Sequence, residues 1–305
     1  MVHNANVMCC LKEIRFREKN RLIHAMETEN PLGSSRTPVH VKMVKEYSRS
    51  AAGRDVKATF KVRSYQELKT STEYLLSLIS TSDTLPWSMV YDFVMDRLRA
   101  VRQDMTVGRV SAQESRELLE AMLPFYFKAM KRCETESCRS YDKKLHMTQL
   151  EECVTKWKTL YEKLGSVNTT IIACYLLHNC RQSWSLQLCY EWKHVFPWHL
   201  WRDLTYVLLA WRMRNAIGFF RTWRKLDSDT MRSALHPSLA ELRKDFLVSV
   251  SAAYRGRNLQ MPVEVLTKWT NLSSDEELLK LVEENIALAE KPTETISFFG
   301  STLRA

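Results

Sequence analysis

Residues 90–105, VYDFVMDRLRAVRQDM, decide the fold class of this chain. Apolar residues recur in this stretch at intervals of three and four, so they share one face of an α-helix. Pro86 stands where a first helical turn can lose an N–H group without penalty, and Gly108 offers a helix end. The stretch therefore predicts an amphipathic helix between Pro86 and Gly108. Its apolar face consists of Val90, Phe93, Val94, Leu98, Val101 and Met105.

The polar side of the same helix allows two interpretations. Asp96 and Arg99 are i,i+3 neighbours that can form an ion pair on a helix surface. In one interpretation this side is a charged face in solvent. In the other it is a buried polar seam that positions a preceding segment, such as the arm at residues 40–55. Spacing alone leaves both open. The side consists of Asp92, Asp96, Arg99, Arg102 and Gln103.

Helical periodicity continues towards the C-terminus. The chain has only 7 Gly and 8 Pro in 305 residues, too few for the turns of a sheet-rich fold. No residue motif repeats at a fixed period. We therefore expect an all-α fold, an irregular helical-repeat stack like a tetratricopeptide solenoid. The further predicted helices are 111–132, interrupted by Pro124, then 150–164, closed by Gly165, and 168–180, 186–192, 199–215 and 239–254.

The C-terminal residues predict a small winged-helix-like module. A short helix is expected at residues 262–270, followed by a helix that Ser273 or Ser274 caps. After Pro292, residues 295–300 are predicted to form a strand. A helix, a second helix and a strand in this order are typical of a winged helix. The predicted domains are a basic N-terminal arm (1–63), a helical body (64–255) and this module (256–305).

The second helix of this module is strongly acidic. Residues 274–290 contain six Asp+Glu and one Lys, a net charge of −5. A winged helix that reads DNA places a basic or neutral helix against the phosphates, which would repel a helix of this charge. We therefore predict that the module binds protein rather than the DNA major groove. The predicted partner-binding residues are Glu276, Glu277, Lys280, Glu283 and Glu284.

The net charge of +10 is concentrated near the N-terminus. The chain has 45 Lys+Arg against 35 Asp+Glu, and residues 1–69 hold 14 against 7, which is +7 of the total. A basic arm beside a near-neutral body indicates a polyanionic partner, either nucleic acid or an acidic protein. A solvated surface that only aids solubility is the alternative. The candidate contacts in the arm are Lys42, Lys45, Arg49 and Arg54.

A second basic cluster alternates with the aromatic residues Phe219, Phe220 and Trp223. Cations between aromatic rings are the chemistry of a platform for single-stranded nucleic acid. Aromatic residues at helical spacing also pack in protein cores, so both interpretations stay open. The candidate contacts of this cluster are Arg221, Arg224 and Lys225.

The sequence lacks the motifs of common catalytic sites. It has no Gly-rich phosphate loop and no GxSxG, HExxH or EF-hand pattern. Cys133, Cys138 and His146 superficially suggest a zinc site, but a matching second ligand pair is missing. Three histidines lie near acidic residues, but neighbouring tryptophans indicate packing. We expect no cofactor, no metal and no enzymatic activity. The histidines are His178, His194 and His199, and the tryptophans are Trp184, Trp192, Trp198 and Trp201.

No segment predicts membrane insertion or secretion. The longest apolar stretches, 171–177 and 207–211, are far shorter than the about 20 residues that a membrane-spanning helix needs. The first residues lack the apolar core of a signal peptide. The eight cysteines show no regular spacing and indicate reduced, mostly buried thiols.

Two strings resemble the SAC/GANP family. Residues 93–104, FVMDRLRAVRQD, are similar to its helix signature of Asp-Arg, then Arg, then Arg-Gln-Asp. Residues 44–53, VKEYSRSAAG, are similar to its Val-Lys-Glu-Tyr-Ser-Arg-Pro-Ala-Ala pattern, with Ser50 in place of the Pro. The resemblance covers most of residues 8–255. Its structural signature residues in this chain are Tyr47, Asp96, Arg97, Arg99, Arg102, Gln103 and Asp104.

The resemblance implies helical repeats that end in a winged helix, as in PCI proteins. Members of the family resemble scaffolds that pair with a PCI-domain protein and a small acidic disordered protein. The larger relatives look like organisers of nuclear mRNA export. The short, domain-only relatives, which this chain resembles in length, are linked to centrosome duplication and spindle assembly.

The resemblance thus leads to one expected function and one alternative. We expect a non-enzymatic scaffold in nuclear mRNA export or related mRNA processing, with RNA as a further candidate partner. The alternative is a centrosome duplication and spindle assembly factor that does not bind nucleic acid. The expected location is the nucleus, with the cytoplasm, centrosome and spindle as further sites.

Overall fold

The computed structural model describes residues 8–34, 37–48, 60–79, 84–166, 168–290 and 292–304. The chain divides into two compact units, residues 1–166 and 167–305. Helices dominate both units, which confirms the all-α class. The predicted boundaries at residues 63/64 and 255/256 stay predictions. Within the described residues, no helix is both long enough and apolar enough to cross a membrane.

The first unit is built around four long helices. Helix α2 packs against α3 and α4, and α4 packs along α5. A short N-terminal helix, α1, precedes them together with two 3-10 turns, Ala25–Glu27 and His40–Lys42. The helices are α1 Leu11–Lys19, α2 Tyr65–Ser77, α3 Trp87–Val107, α4 Ala112–Thr135 and α5 Lys143–Leu164.

The helix ends follow the local sequence signals. Pro86 and Gly108 flank α3 as predicted. Ser111 accepts a hydrogen bond from the backbone N–H of Glu114, whose side chain accepts one from Ser111 in return, a capping box. Gly165 ends α5 with a φ of 67°, a left-handed conformation that favours glycine.

The predicted interruption at Pro124 is wrong, because α4 continues through this residue. A proline inside a helix removes one backbone hydrogen bond and is normally destabilising. In α4 the neighbours Leu123, Phe125 and Tyr126 are buried at 3% exposure or less. Their packing offsets the lost hydrogen bond, and the helix persists.

The apolar face of α3 is buried as predicted, and Val90, Phe93 and Leu98 have no exposed surface. Its polar side is half-buried, and Arg97 and Asp104, which flank that side in the sequence, are each only 2% exposed. Charged side chains are rarely buried unless they are paired. The burial of α3 on this side therefore favours the polar seam over the solvated face.

The second unit is a run of shorter helices that continues into the C-terminal module. Helix α6 packs against α10, α8 against α9, and α7 against α8. The helices are α6 Thr169–His178, α7 Ser183–Glu191, α8 Trp198–Arg212, α9 Ala216–Trp223, α10 Asp229–Ala234, α11 His236–Ala253, α12 Val263–Thr270 and α13 Asp275–Asn285.

The C-terminal module has the element order of a winged helix. Four two-residue strands accompany α12 and α13: β1 Met261–Pro262, β2 Ile286–Ala287, β3 Thr295–Ile296 and β4 Thr302–Leu303. Strand β1 pairs with β3, and β2 pairs with β4, both antiparallel. Ser274 caps α13 as predicted. Helix α13 packs against α11, and α12 packs against α9, so the module is continuous with the second unit.

Candidate interaction surfaces

Arg97, near the middle of α3, is the centre of a buried charge network. Its guanidinium lies 3.4 Å from Glu27 and 3.5 Å from Glu46, and it also pairs with Asp96. Burial alone would lower the pKa of Arg97, but the negative charges of Glu27, Asp96 and Glu46 outweigh it and raise that pKa. Arg17 of α1 pairs with Glu27 from the other side, so the network joins α1 to α3.

Asp104 forms the second centre of the seam, near the C-terminal end of α3. Its two carboxylate oxygens accept from different cations, Lys45 Nζ at 2.7 Å and Arg63 Nε at 2.8 Å. All three side chains are at most 9% exposed. Removing one partner of a buried ion pair costs about 3–5 kcal/mol, because an uncompensated charge remains. Asp104 therefore fixes the segments before and after residues 49–59 onto α3.

Three further signature residues of α3 contact Tyr47 and Ser48 of the arm. The backbone N–H of Tyr47 donates to Asp96 at 3.3 Å. Gln103 Nε2 donates to the carbonyl of Ser48 at 2.9 Å. The guanidinium of Arg99 lies 4.0 Å from the centre of the Tyr47 ring, within the range of a cation–π contact. The polar side of α3 is therefore the seam that positions the arm.

The structure corrects the assignment of Lys45 as a contact for an anionic partner. Its ammonium is engaged by Asp104 and by the carbonyl of Lys61, which lies 3.0 Å away. Lys42 is half-buried and donates to the carbonyl of Thr28 at 3.0 Å. Arg49 and Arg54 lie outside the described residues.

The second basic cluster is exposed, but its aromatic neighbours are not. Arg221 and Lys225 are exposed. Arg224 is exposed as well, and it donates to Asn271 Oδ1 at 2.7 Å and to the carbonyl of Lys268 at 2.9 Å. Phe219 and Phe220 are at most 1% exposed. The stacking platform for nucleic acid is therefore wrong for these two rings, which are core residues.

Helix α13 presents a charged face to solvent. The apolar residues Leu278 and Val282 are fully buried beneath it. The helix carries five carboxylates against the single ammonium of Lys280, a net charge of −4. Every one of the predicted partner-binding residues is exposed: Glu276, Glu277, Lys280, Glu283 and Glu284.

An exposed apolar stripe on α8 escaped the sequence argument, which assigned Trp198 to packing. Trp198 is 63% exposed, Tyr206 45% and Met213 68%. The ring of Trp201 lies 5.1 Å from that of Trp198, and Lys193 Nζ lies 4.7 Å from the Trp201 ring. The signal was present as a second apolar spacing along α8, on the side opposite to its buried residues Leu204 and Leu208.

His146 and Cys133 are buried with hydrogen-bond partners, whereas His194 and His199, which the sequence assigned to packing, are exposed. His146 is buried, its Nε2–H donates to the carbonyl of Tyr126 at 2.9 Å, and its Nδ1 accepts from the Tyr91 hydroxyl at 3.1 Å. Cys133 Sγ accepts from Trp87 Nε1 at 3.2 Å. Over the described ranges, no three His, Cys, Asp or Glu side chains are grouped closely enough to hold a metal ion.

Comparison with known proteins identifies the family of this chain. The profile of the SAC3/GANP family matches residues 8–288. The chain is similar to SAC3 family protein B of Arabidopsis thaliana, at 25% identity over 272 residues, which cover 82% of this chain and 16% of that protein. It is also similar to Protein xmas of Drosophila melanogaster, at 26% identity over 162 residues, which cover 52% of this chain and 8% of that protein. The matched part is thus a small fraction of either relative. The chain belongs to the SAC3/GANP family.

Proposed function

We propose that the chain is a non-catalytic scaffold that pairs with a PCI-domain protein and acts in nuclear mRNA export. Family membership over residues 8–288 supports the scaffold role. The observation that carries the choice of partner is the charge of α13. This helix stands in the module where a DNA-reading winged helix places its recognition helix, yet its exposed residues give it a net charge of −4.

Electrostatics favour a basic protein surface as the partner of α13. Like charges placed opposite each other disfavour an interface, and complementary charges raise the association rate. Nucleic acid carries a high density of negative phosphate charge, so α13 would be repelled. Two apolar residues of α13, Leu278 and Val282, are fully buried within the module. A partner therefore meets the carboxylates and Lys280.

RNA or a small acidic disordered protein would bind elsewhere, at Arg221 and Lys225. These two cations are exposed, and neither forms an ion pair among the described residues. Of these two polyanions, RNA is the one with a sharp quantitative test, because each phosphate contact contributes to the salt dependence of binding.

Charge reversal on α13 tests the pairing. The double variant Glu276→Lys and Glu283→Lys changes the exposed face but leaves Glu277, which accepts from the backbone N–H of Ser273 at 3.0 Å. We expect this variant to lose co-purification with a PCI-domain protein. The matched control, Glu264→Lys with Glu290→Lys, makes the same charge change at exposed residues outside α13.

The identity of the recovered partners decides between the two functions. Recovery of a PCI-domain protein with the wild type and the control, but not with the α13 variant, supports the proposal. Recovery of centrosome or spindle components without any PCI-domain protein would favour the alternative. Equal recovery with the α13 variant would rule out α13 as the contact.

A further inference from the structure

A cavity of about 400 Å³ lies in the first unit, between α3, α4, α5 and Tyr47 of the arm. Its volume falls in the range of small-molecule binding sites, which is about 300–1,000 Å³. Arg99 and Gln103 contact the arm, and Arg102 contacts α5. These contacts explain the orientation of the three side chains but not the cavity between them. The cavity is therefore a feature apart from the scaffold surfaces.

Positive charge predominates in the lining. Among the residues that the structure describes, Arg99, Arg102 and Lys156 line the cavity, against the one carboxylate of Glu152. Glu152 is used by Arg102, whose Nη2 lies 3.1 Å from its carboxylate. Arg99 and Lys156 form no ion pair among the residues that the structure describes. Two cations in the lining thus have no counter-ion within the described part of the chain.

The hydrogen-bonding groups of Arg102 and Gln103 are also incompletely used. Arg102 Nη1 donates to the carbonyl of Gln149 at 3.0 Å, and its Nη2 donates to Gln149 Oε1. Its Nε–H is buried and has no partner among the described residues. Gln103 Oε1 is likewise a buried acceptor without a partner there. Buried polar atoms of this kind are uncommon in native proteins and call for an explanation.

The pKa of Lys156 agrees with this excess of positive charge. Burial lowers the pKa of Lys156, and the charge of Arg102 lowers it further. An anion between the two side chains would compensate both, since an opposite charge nearby favours the charged form of an amine.

Part of the lining is apolar. Met105, Leu119 and the ring of Tyr47 contribute to the wall. The Arg99 guanidinium lies 4.0 Å from the centre of the Tyr47 ring, a cation–π contact that uses none of its N–H groups as hydrogen-bond donors to an anion. A wall of this kind suits an organic group attached to the anion.

We propose that this cavity binds a small organic phosphate, with the phosphate between Arg99, Arg102 and Lys156 and the organic group against Tyr47, Met105 and Leu119. Arginine and lysine are the usual phosphate ligands of proteins, arginine through paired N–H groups and lysine as a point charge. The buried Gln103 Oε1 is an acceptor for a hydroxyl of the ligand. The site does not depend on the partner that α13 binds.

Calorimetric titration of the full chain tests the proposal with four probes. These are inorganic phosphate, adenosine monophosphate, inositol hexakisphosphate and uncharged adenosine. We expect saturable binding of adenosine monophosphate or the inositol phosphate, weaker binding of inorganic phosphate, and none of adenosine. A nucleotide and an inositol phosphate share the same phosphate chemistry, and their relative affinity distinguishes the two sources.

Three variants locate the binding. Lys156→Glu should weaken binding more than about tenfold, which corresponds to the loss of one good charged contact. Its control, Lys163→Glu, makes the same charge change at an exposed position of α5. Glu152→Gln should strengthen binding, because it removes a carboxylate that repels an anion in the lining. A gain of affinity cannot arise from misfolding.

Several results would overturn the proposal. These are the absence of saturable binding of every phosphate probe, equal binding of adenosine and adenosine monophosphate, an equal loss in Lys163→Glu, and weaker binding in Glu152→Gln. Binding of RNA oligomers or phosphopeptides with no binding of the small phosphates would also overturn it, since it would indicate a macromolecular surface.

Discussion

Lys45 Nζ lies 2.7 Å from Asp104 Oδ1, inside the first unit and 59 residues apart in the chain. Arg63 reaches the other oxygen of the same carboxylate at 2.8 Å. Two cations that the sequence offers as charges of a basic arm thus serve to anchor the arm. The same relationship explains why an aspartate can stand on the buried side of α3.

Replacing Asp104 should strongly destabilise the first unit. Asp104→Asn keeps the shape of the side chain but leaves Lys45 and Arg63 as buried cations without a counter-charge. We expect a loss of about 3–5 kcal/mol in the free energy of opening of α3. Native-state hydrogen exchange of the α3 amides measures this loss. The exposed control Asp227→Asn should change it by less than about 0.5 kcal/mol, and similar losses in both variants would contradict the seam.

His146 should make stability depend on pH. Burial lowers its pKa below the usual 6.5, so below about pH 6.5 the unfolded chain binds a proton that the folded chain does not. The stability from this group is complete above pH 6.5 and is lost as the pH falls below it. The slope contributed is at most about 1.4 kcal/mol per pH unit. Urea unfolding above and below about pH 6.5 measures how the free energy of unfolding depends on pH. This dependence should be weaker in His146→Gln than in the wild type. An unchanged dependence would contradict a neutral buried imidazole.

A buried and an exposed aromatic residue of the second unit should differ in how strongly their truncation lowers the free energy of unfolding. Phe219 has no exposed surface, so Phe219→Ala should cost about 3–5 kcal/mol through lost packing and a cavity. Trp198 is 63% exposed, so Trp198→Ala should change stability by less than about 0.5 kcal/mol. Urea unfolding of both variants checks the assignment. A large loss at Trp198 would place this side chain in the core.

If RNA binds at Arg221 and Lys225, salt dependence will report it. A plot of log affinity against log salt should lose about 1.4 units of slope in the double variant Arg221→Gln with Lys225→Gln, or about 0.7 for each phosphate contact with a single strand. The control double variant, Lys69→Gln with Lys163→Gln, removes two exposed lysines from the first unit. A slope that is the same in the wild type and in the Arg221/Lys225 variant would remove these residues from the RNA site.

Local signals in the sequence were sufficient for several helices and helix ends, but α5 begins at Lys143 rather than at residue 150, and α9 and α10 were not predicted. Pro86, Gly108 and Gly165 mark helix ends in the structure as they do in the sequence, because capping and backbone conformation are set by neighbouring residues. Pro124 could not be judged in this way, since the packing of α4 against other helices decides whether the helix continues.

The candidate contacts were harder to predict because exposure depends on the tertiary fold. Nothing adjacent to Lys45 in the sequence shows that Asp104 lies 2.7 Å from it. Likewise, Phe219 and Trp198 are both aromatic residues of the second unit, yet one is in the core and the other is exposed. The acidic face of α13 was predictable, because charge and helical spacing are both properties of the local sequence.

The pairing through α13 is tested most directly by crosslinking on the assembled complex. The chain is purified with its partners at endogenous level and treated with a lysine-reactive crosslinker, and the linked peptides are identified by mass spectrometry. We predict that Lys280, the one ammonium on the exposed face of α13, is linked to a lysine of a PCI-domain protein. Purification of a PCI-domain protein whose crosslinks all lie away from α13, or of no such protein, would contradict the account.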